Sequence, residues 1–509
     1  MAALWLALAG CSGCGLQQWA ANGYRVGPNY CKPPVPVASE WIDYGDERVG
    51  SEQYDLAAWW MVFNDPTLDA LAQNAYQQNL SLRVAGTRIL EARYRRQIAA
   101  SYMFPQLQDV SGSFAALKQS GNIVFSPPAL WFSNWESSFN ATWELDFWGR
   151  FRRAIESADA ELDASVENFD DVLVLLLAEV STSYVDYRTF QQRLKFARQN
   201  VGAQQKSLEV AKNRRQEGAS AERDVQQALT VLEQTRALVP QLEAGQRLAN
   251  NRLCVLLGGP PRDLEAELGE GEIPAAPPAV AVGIPADLVR RRPDVRRAER
   301  ELAAQSARIG IAQSDLYPHI TLSGTFGVAA EQFGDLLDLP TSTVAGIGPA
   351  FRWDVLNYGR LLNNIRVQDA RFEQLAYSYQ QEVLDAGREA EDGIITFLRS
   401  QERAQRLDAC VRAAQRTFEI TGEQYRYGTV DYTPVYLALS EVASRQDQLA
   451  SAQGDVALSL IRLYQALGGG WEIRLMGPMG GVAPMADGPT PDRADAEVVE
   501  PSTSEPEQP

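Results

Sequence analysis

The chain has 509 residues, a formal net charge of −18 and a pI near 4.7, an acidity that excludes the basic footprint of a nucleic-acid-binding protein. One histidine, His319, and five cysteines without matched pairs leave no zinc set and no Ser-His or Cys-His nucleophile, so no catalytic, metal or cofactor residue is expected. No apolar run approaches the roughly 18 residues of a membrane-crossing helix, so a chain that crosses a bilayer must do so as a β-barrel.

Residues 1–11 form a short apolar segment ending in Leu8-Ala9-Gly10-Cys11, which looks like a bacterial lipobox without its basic start. Cys11 is therefore the expected lipidation site; Cys14 lacks the leucine at −3 and is the weaker candidate. Residues 12–64, with Pro28, Pro33, Pro34 and Pro36 and no sustained period, read as an extended strap on the outside of something larger. Asp65-Pro66 then opens a helix, with aspartate as N-cap and proline at the first position. Its apolar stripe runs through Leu68, Leu71, Ala75, Val84 and Ile89, and Pro105 stops it.

The period next changes from helical to two. Trp135, Phe139, Trp143 and Phe147 fall on one face, and Glu136, Ser138, Asn140, Thr142 and Glu144 on the other, so this is a strand with an apolar and a polar side. Its partner is expected over about 107–117, with Phe114 on the apolar face. From Gly149 to Gly218 there is no proline and one internal glycine, which predicts a single helix on the order of 100 Å long. A return helix over about 221–257, interrupted at Pro240, follows. The first helix and the return helix, stacked end to end, match the long one in length, as strands of a coiled coil would.

Gly258-Gly259-Pro260-Pro261 begins a linker over 258–284, after which the pattern recurs. Aligning Gly149-Arg150 with Gly359-Arg360 sets a shift of 210 residues that holds without a gap from Trp143 and Trp353 to Gly258 and Gly468, and Ser111-Gly112-Ser113-Phe114 and Ser323-Gly324-Thr325-Phe326 ahead of it are visibly the same segment. Residues 65–257 and 285–467 are thus two copies of one unit. The second copy brings two more strands, about 320–328 and 347–355, with Phe326, Phe351 and Trp353 on their apolar side. Residues 468–509, rich in glycine, proline and acids, read as a disordered tail.

Four strands with one apolar face leave two open edges, whereas 12 strands from three chains would close a ring with its apolar side toward lipid. The alternative is a soluble coiled-coil rod with a sheet cap, in which the stripe of Trp135, Phe139, Trp143 and Phe147 would promote aggregation.

The run from Pro285 to Glu299, with Leu288, Arg291-Arg292-Pro293-Asp294-Val295-Arg296 and Ala298-Glu299, resembles the signature of TolC-like outer-membrane factors. Leu316-Tyr317-Pro318, Val26-Gly27-Pro28-Asn29-Tyr30 and Glu144-Leu145-Asp146-Phe147-Trp148-Gly149-Arg150 extend the likeness to the NodT/OprM-like lipoprotein branch that serves resistance-nodulation-division (RND) drug pumps. The resemblance covers about Tyr24 to Trp471 and implies a mainly α fold with a β-barrel part. It further implies a homotrimer whose 12-stranded outer-membrane barrel, four strands per chain, continues as a long periplasmic α-helical barrel. The implied partners are a periplasmic adaptor (membrane fusion protein), an inner-membrane RND pump and outer-membrane lipid. Such a duct passively conducts drugs or other small toxic compounds and catalyses nothing; a duct for ABC-driven type I protein secretion is the alternative.

By the same resemblance the helical tips set the constriction. The residues singled out there are Gly218, Ser220 and Asp224 in the first copy, and Gly428, Thr429, Asp431, Tyr432 and Leu437 in the second. The family's Leu-Asp-Ala segment is here Tyr436-Leu437-Ala438, so Leu437 replaces an acidic ring with an apolar one. Asp224 and Asp431 read equally as gate carboxylates or as helix-start aspartates. Arg290, Arg291, Arg292, Arg296 and Arg297 read as a solvated helix start paired with Asp294, Glu299 and Glu301.

Overall fold

The computed structural model describes residues 19–50, 56–118 and 131–475; the lipobox with Cys11 and Cys14 and the tail beyond 475 lie outside the described residues. The first half runs β1 (Val49–Gly50), α1 (Pro66–Gln78), α2 (Leu80–Ser101), β2 (Leu107–Lys118), β3 (Trp131–Leu145), α3 (Arg150–Gln216) and α4 (Glu222–Leu256). The second runs β4 (Val280–Ala281), α5 (Pro285–Arg291), α6 (Pro293–Ser314), β5 (His319–Ala330), β6 (Thr343–Arg352), α7 (Arg360–Arg426) and α8 (Tyr432–Ala466). The long helices α3 and α7 have 67 residues each and the return helices α4 and α8 have 35 each. The internal repeat is therefore a repeat of structure, element for element.

Local chemistry explains the helix boundaries. Asp65 accepts hydrogen bonds from the Thr67 and Leu68 amides and starts α1. The single helix expected over 65–105 is instead two, because the Asn79 side chain accepts from Leu82 N and restarts the helix. In the second copy the same break falls at Arg292, where Pro293 denies the preceding residue a helical backbone. Both break residues also reach the end of a return helix. Asn79 Nδ2 donates to the Leu256 carbonyl at 2.9 Å, and Arg292 Nη1 to the Ala466 carbonyl at 2.8 Å. These satisfy carbonyls that a helix C-terminus leaves orphaned. The interruption expected at Pro240 is absent, since α4 runs through it.

Near the sheet, α3 packs against α2 and α6, and α6 against α7; farther away, α3 packs against α4 and α8, and α8 against α7. The wall thus reads α2-α3-α6-α7 at one end and α4-α3-α8-α7 at the other. The strap descends along it. Arg153, fully buried at the start of α3, donates to the carbonyls of Val26 and Gly27 and to Asn29 Oδ1. Lower down, Lys32 pairs with Glu299 at 2.6 Å, Trp41 Nε1 donates to the Gly283 carbonyl and Arg48 pairs with Glu402. There β1 pairs in parallel with β4, tying the strap to the linker. Just below lies the main core, where Trp59, Leu68, Leu173, Leu177, Tyr184, Phe397 and Leu460 are buried together.

The four long strands form one antiparallel sheet in the order β2-β3-β5-β6. The register sets Val110 opposite Phe139, Phe114 opposite Trp135, Phe139 opposite Phe326, Trp143 opposite Leu322 and Ile320 opposite Phe351. Residues directly opposite share a face, so the apolar positions of all four strands fall on the same side. The last strand ends at Arg352, so Trp353 and Val355, expected within it, lie just past its end.

Candidate functional site

Two regions hold the residues expected to matter for function, the sheet and the helical tip. On the sheet's apolar side Phe114, Phe139, Trp143, Phe326 and Phe351 are all exposed in the single chain, Phe351 at 70%. Trp353 is exposed as well, although it has left the strand. The indoles of Trp143 and Trp353, equivalent in the repeat, donate to the carbonyls of Met103 at 3.1 Å and Leu316 at 2.9 Å. Each therefore has its polar atom satisfied while the ring stays outside, the arrangement suited to an apolar–polar boundary. At the other end of the sheet, Trp135 and Phe114 pack with ring centroids 4.3 Å apart. Along β3, Trp135 and Trp143 are separated by about 26 Å at 3.3 Å per residue; with a strand tilt of about 40° this spans about 20 Å of height, most of the apolar band of an outer-membrane barrel, about 25 Å tall.

The opposite side is wet. Asn140 Nδ2 donates to Asp109 Oδ2 at 3.2 Å, Thr325 Oγ1 donates to Asn140 Oδ1 at 3.0 Å, and the hydroxyls of Ser111 and Ser138 lie 3.1 Å apart. His319 Nδ1 is 2.7 Å from Glu144 Oε1. Polar side chains of three strands thus join into a hydrogen-bonded surface that needs no apolar cover. Among the described residues β2 and β6 each pair along one edge only. They are antiparallel to each other, as two edges that close a ring of sheets must be.

At the far end of the long helices both copies turn in the same way. Gly218 and Gly428 adopt φ of 74° and 75°, the left-handed backbone that glycine takes without cost. Ala219 N then donates to the Arg214 carbonyl at 2.8 Å and Thr429 N to the Gln424 carbonyl at 3.0 Å, closing the helix end. Gly218, Gly428, Thr429, Asp431 and Leu437 are exposed and Ser220 is half-buried. Tyr432 and Asp224 are different. Tyr432 is buried among Leu208, Ala211, Val225, Leu232 and Tyr425, with its hydroxyl 2.8 Å from Ser207 Oγ. Burial pushes that hydroxyl's pKa up, against the hydrogen bond with Ser207. Asp224 is buried too and accepts a 2.8 Å hydrogen bond from Ser220. Within one chain these two therefore pack inside the tip. Asp431 stands at the start of α8, but its side chain caps no amide.

Sequence reasoning missed what joins the two tips. Arg214 donates to the Tyr425 carbonyl at 2.9 Å and lies 4.3 Å above the Tyr425 ring. With Ser207 and Tyr432 it links α3 to both helices of the second hairpin. The available signal was Arg214 in the last turn before Gly218, a place where cations meet exposed carbonyls.

The arginine signature is also resolved differently. Arg292 is buried, not solvated, and binds Asp294 at 2.5 Å and Glu389 at 2.9 Å. Arg296 pairs with Glu167 and Arg297 with Asp171, both on α3. Glu299 pairs with Lys32 and Arg300. The signature thus rivets α6 to its neighbours. Among the described residues no helix is long and apolar enough to cross a membrane.

The model of the family described as "Outer membrane efflux protein" matches residues 71–259 and 284–469, one segment for each repeat. The chain belongs to the outer membrane efflux protein family. It is an outer-membrane efflux channel and not an enzyme. It is 31% identical to Nodulation protein T of Rhizobium leguminosarum bv. trifolii over 456 residues, covering 88% of this chain and 95% of that protein. It is 29% identical to the pyoverdine export outer membrane protein OpmQ of Pseudomonas putida over 421 residues, covering 81% and 88%. Among solved structures the outer-membrane channel OprN superposes with a TM-score of 0.82 at 32% identity, covering 88% of this chain and 99% of that one.

Proposed function

We propose that three copies of this chain form the exit duct of a tripartite efflux pump. In it, β6 of each copy pairs with β2 of the next to close a 12-stranded outer-membrane barrel, continued into the periplasm by α3, α7 and their stacked partners. The observation that carries this reading is the sheet: one exposed apolar face, one hydrogen-bonded polar face and two half-paired edges in a single chain. Its wet side then faces a water-filled passage. The helical tips lie farthest from the membrane, where a periplasmic adaptor and an inner-membrane, proton-driven pump would engage them. Leu437 and Asp431, exposed on the second hairpin, are the residues we assign to the constriction. Cys11 is the proposed lipid anchor. The cargo is proposed to be drugs or other small toxic compounds, and the duct conducts them passively, the energy coming from the pump.

Deletion of the gene is expected to make the bacterium several-fold more susceptible to a panel of amphipathic antibiotics and dyes, with resistance restored by the intact chain. Unchanged susceptibility across the panel would contradict the assignment to drug export.

A further inference from the structure

Between β5 and β6 the chain crosses the far end of the sheet through residues 331–342, and this crossing carries apolar surface that stays open in the single chain. Phe333 is 65% exposed, Leu337 85% and Leu339 60%. The segment is nevertheless built, not loose. Phe333–Leu337 is a 3-10 turn followed by a helical turn at Leu339–Ser342. Thr341 Oγ1 donates to Asp338 Oδ2 at 2.7 Å, and Ser342 Oγ to the Asp338 carbonyl at 2.9 Å. Ser133 on β3 donates to the Glu331 carbonyl at 2.8 Å and fixes where the crossing begins.

Its direction is set by one contact. The Phe333 ring meets Trp135 edge-on, with centroids 5.0 Å apart, and Trp135 belongs to the apolar side of the sheet. The crossing therefore folds over the rim toward the apolar side and not across the polar one. Trp135 lies on β3, an inner strand, so Phe333 leans toward the middle of its own sheet and away from the adjacent free edge at β6. A neighbouring copy would meet the edges; lipid would meet the middle.

We propose that residues 333–339 are a membrane-seated collar. Phe333, Leu337 and Leu339 enter the acyl region of the outer leaflet, continuing the surface of Phe114 and Trp135. This rests on the reading that the apolar face of the sheet meets lipid.

The test is site-specific photocrosslinking in intact outer membranes, with p-benzoylphenylalanine placed at Leu337 and, as a reference on the sheet itself, at Phe139. A repeat at Leu339 covers the case in which the first variant fails to assemble. Irradiation is expected to give lipid adducts at both 337 and 139, read as a mass increase on the chain. Adducts at 139 without adducts at 337 would overturn the collar while leaving the barrel reading intact. A chain-to-chain crosslink from 337 would overturn it in favour of a subunit contact. Adducts at neither position would overturn both readings.

Discussion

The segment just past the second repeat is held by one ion pair of unusual burial and one cation–π contact. Asp170, on α3 and fully buried, receives Arg474 Nε at 2.7 Å and Nη2 at 2.9 Å, while Arg296 lies 4.8 Å above the Trp471 ring. Burial pushes the Asp170 carboxyl above its ordinary range even though Arg474 opposes this. The folded state thus holds that proton more tightly than the unfolded chain, so its contribution favours folding at low pH and is lost as pH rises through the raised value. Removing the arginine sharpens this dependence, because the carboxylate is left buried and unpaired. Arg474→Leu is expected to destabilise the protein by about 3 kcal/mol near neutral pH. The deficit should be smaller at about pH 5 than at about pH 7, because the raised carboxyl takes up its proton more readily as pH falls. Thermal unfolding at both pH values checks it, and a deficit that grows on acidification would contradict the sign. Asp170→Asn should cost less, since Arg474, partly exposed, can turn toward water. None of this pairing was legible in the sequence, where position 170 is one acid among many on a long amphipathic helix.

At the level of elements, the 210-residue shift carried most of the architecture. It anticipated two long helices of equal length and two return helices, and the period-two alternation ahead of each long helix anticipated four strands, because hydrophobic period survives in a long repeat even where identities do not. What it could not place were boundaries set by tertiary contacts. The break at Asn79 has no proline or glycine to announce it; an asparagine caps the next helix and a neighbouring carbonyl together. Conversely Pro240 announces a break that packing overrides. The same distinction separates two glycines with similar backbones. A Cβ at Gly218 would meet nothing within 4 Å, whereas one at Gly258 would fall 2.5 Å from the Gln78 carbonyl oxygen, where α1 abuts the return helix. Gly218→Ala is therefore expected to cost only the left-handed backbone penalty, about 1 kcal/mol. Gly258→Ala should cost clearly more, because backbone must move. Equal unfolding midpoints for the two variants would show that the end-to-end stacking of α1 and α4 is not tight.

For the whole molecule, the candidate sheet was legible because alternation is strict on β3, and Phe114, Phe139, Trp143, Phe326 and Phe351 all fall on one exposed face. The tip was legible only as a turn. Its glycines announced the reversal, but the burial of Asp224 and Tyr432 depends on how two hairpins 210 residues apart meet, which no local pattern encodes. The proposed duct requires one chain to be a third of a tube. Its open edges and its exposed aromatic face have no other cover among the described residues. The most direct measurement is the mass of the complex extracted from membranes in mild detergent without heating. Three chains of 56.2 kDa each are predicted. A stable monomer that remains in solution without detergent would contradict the claim.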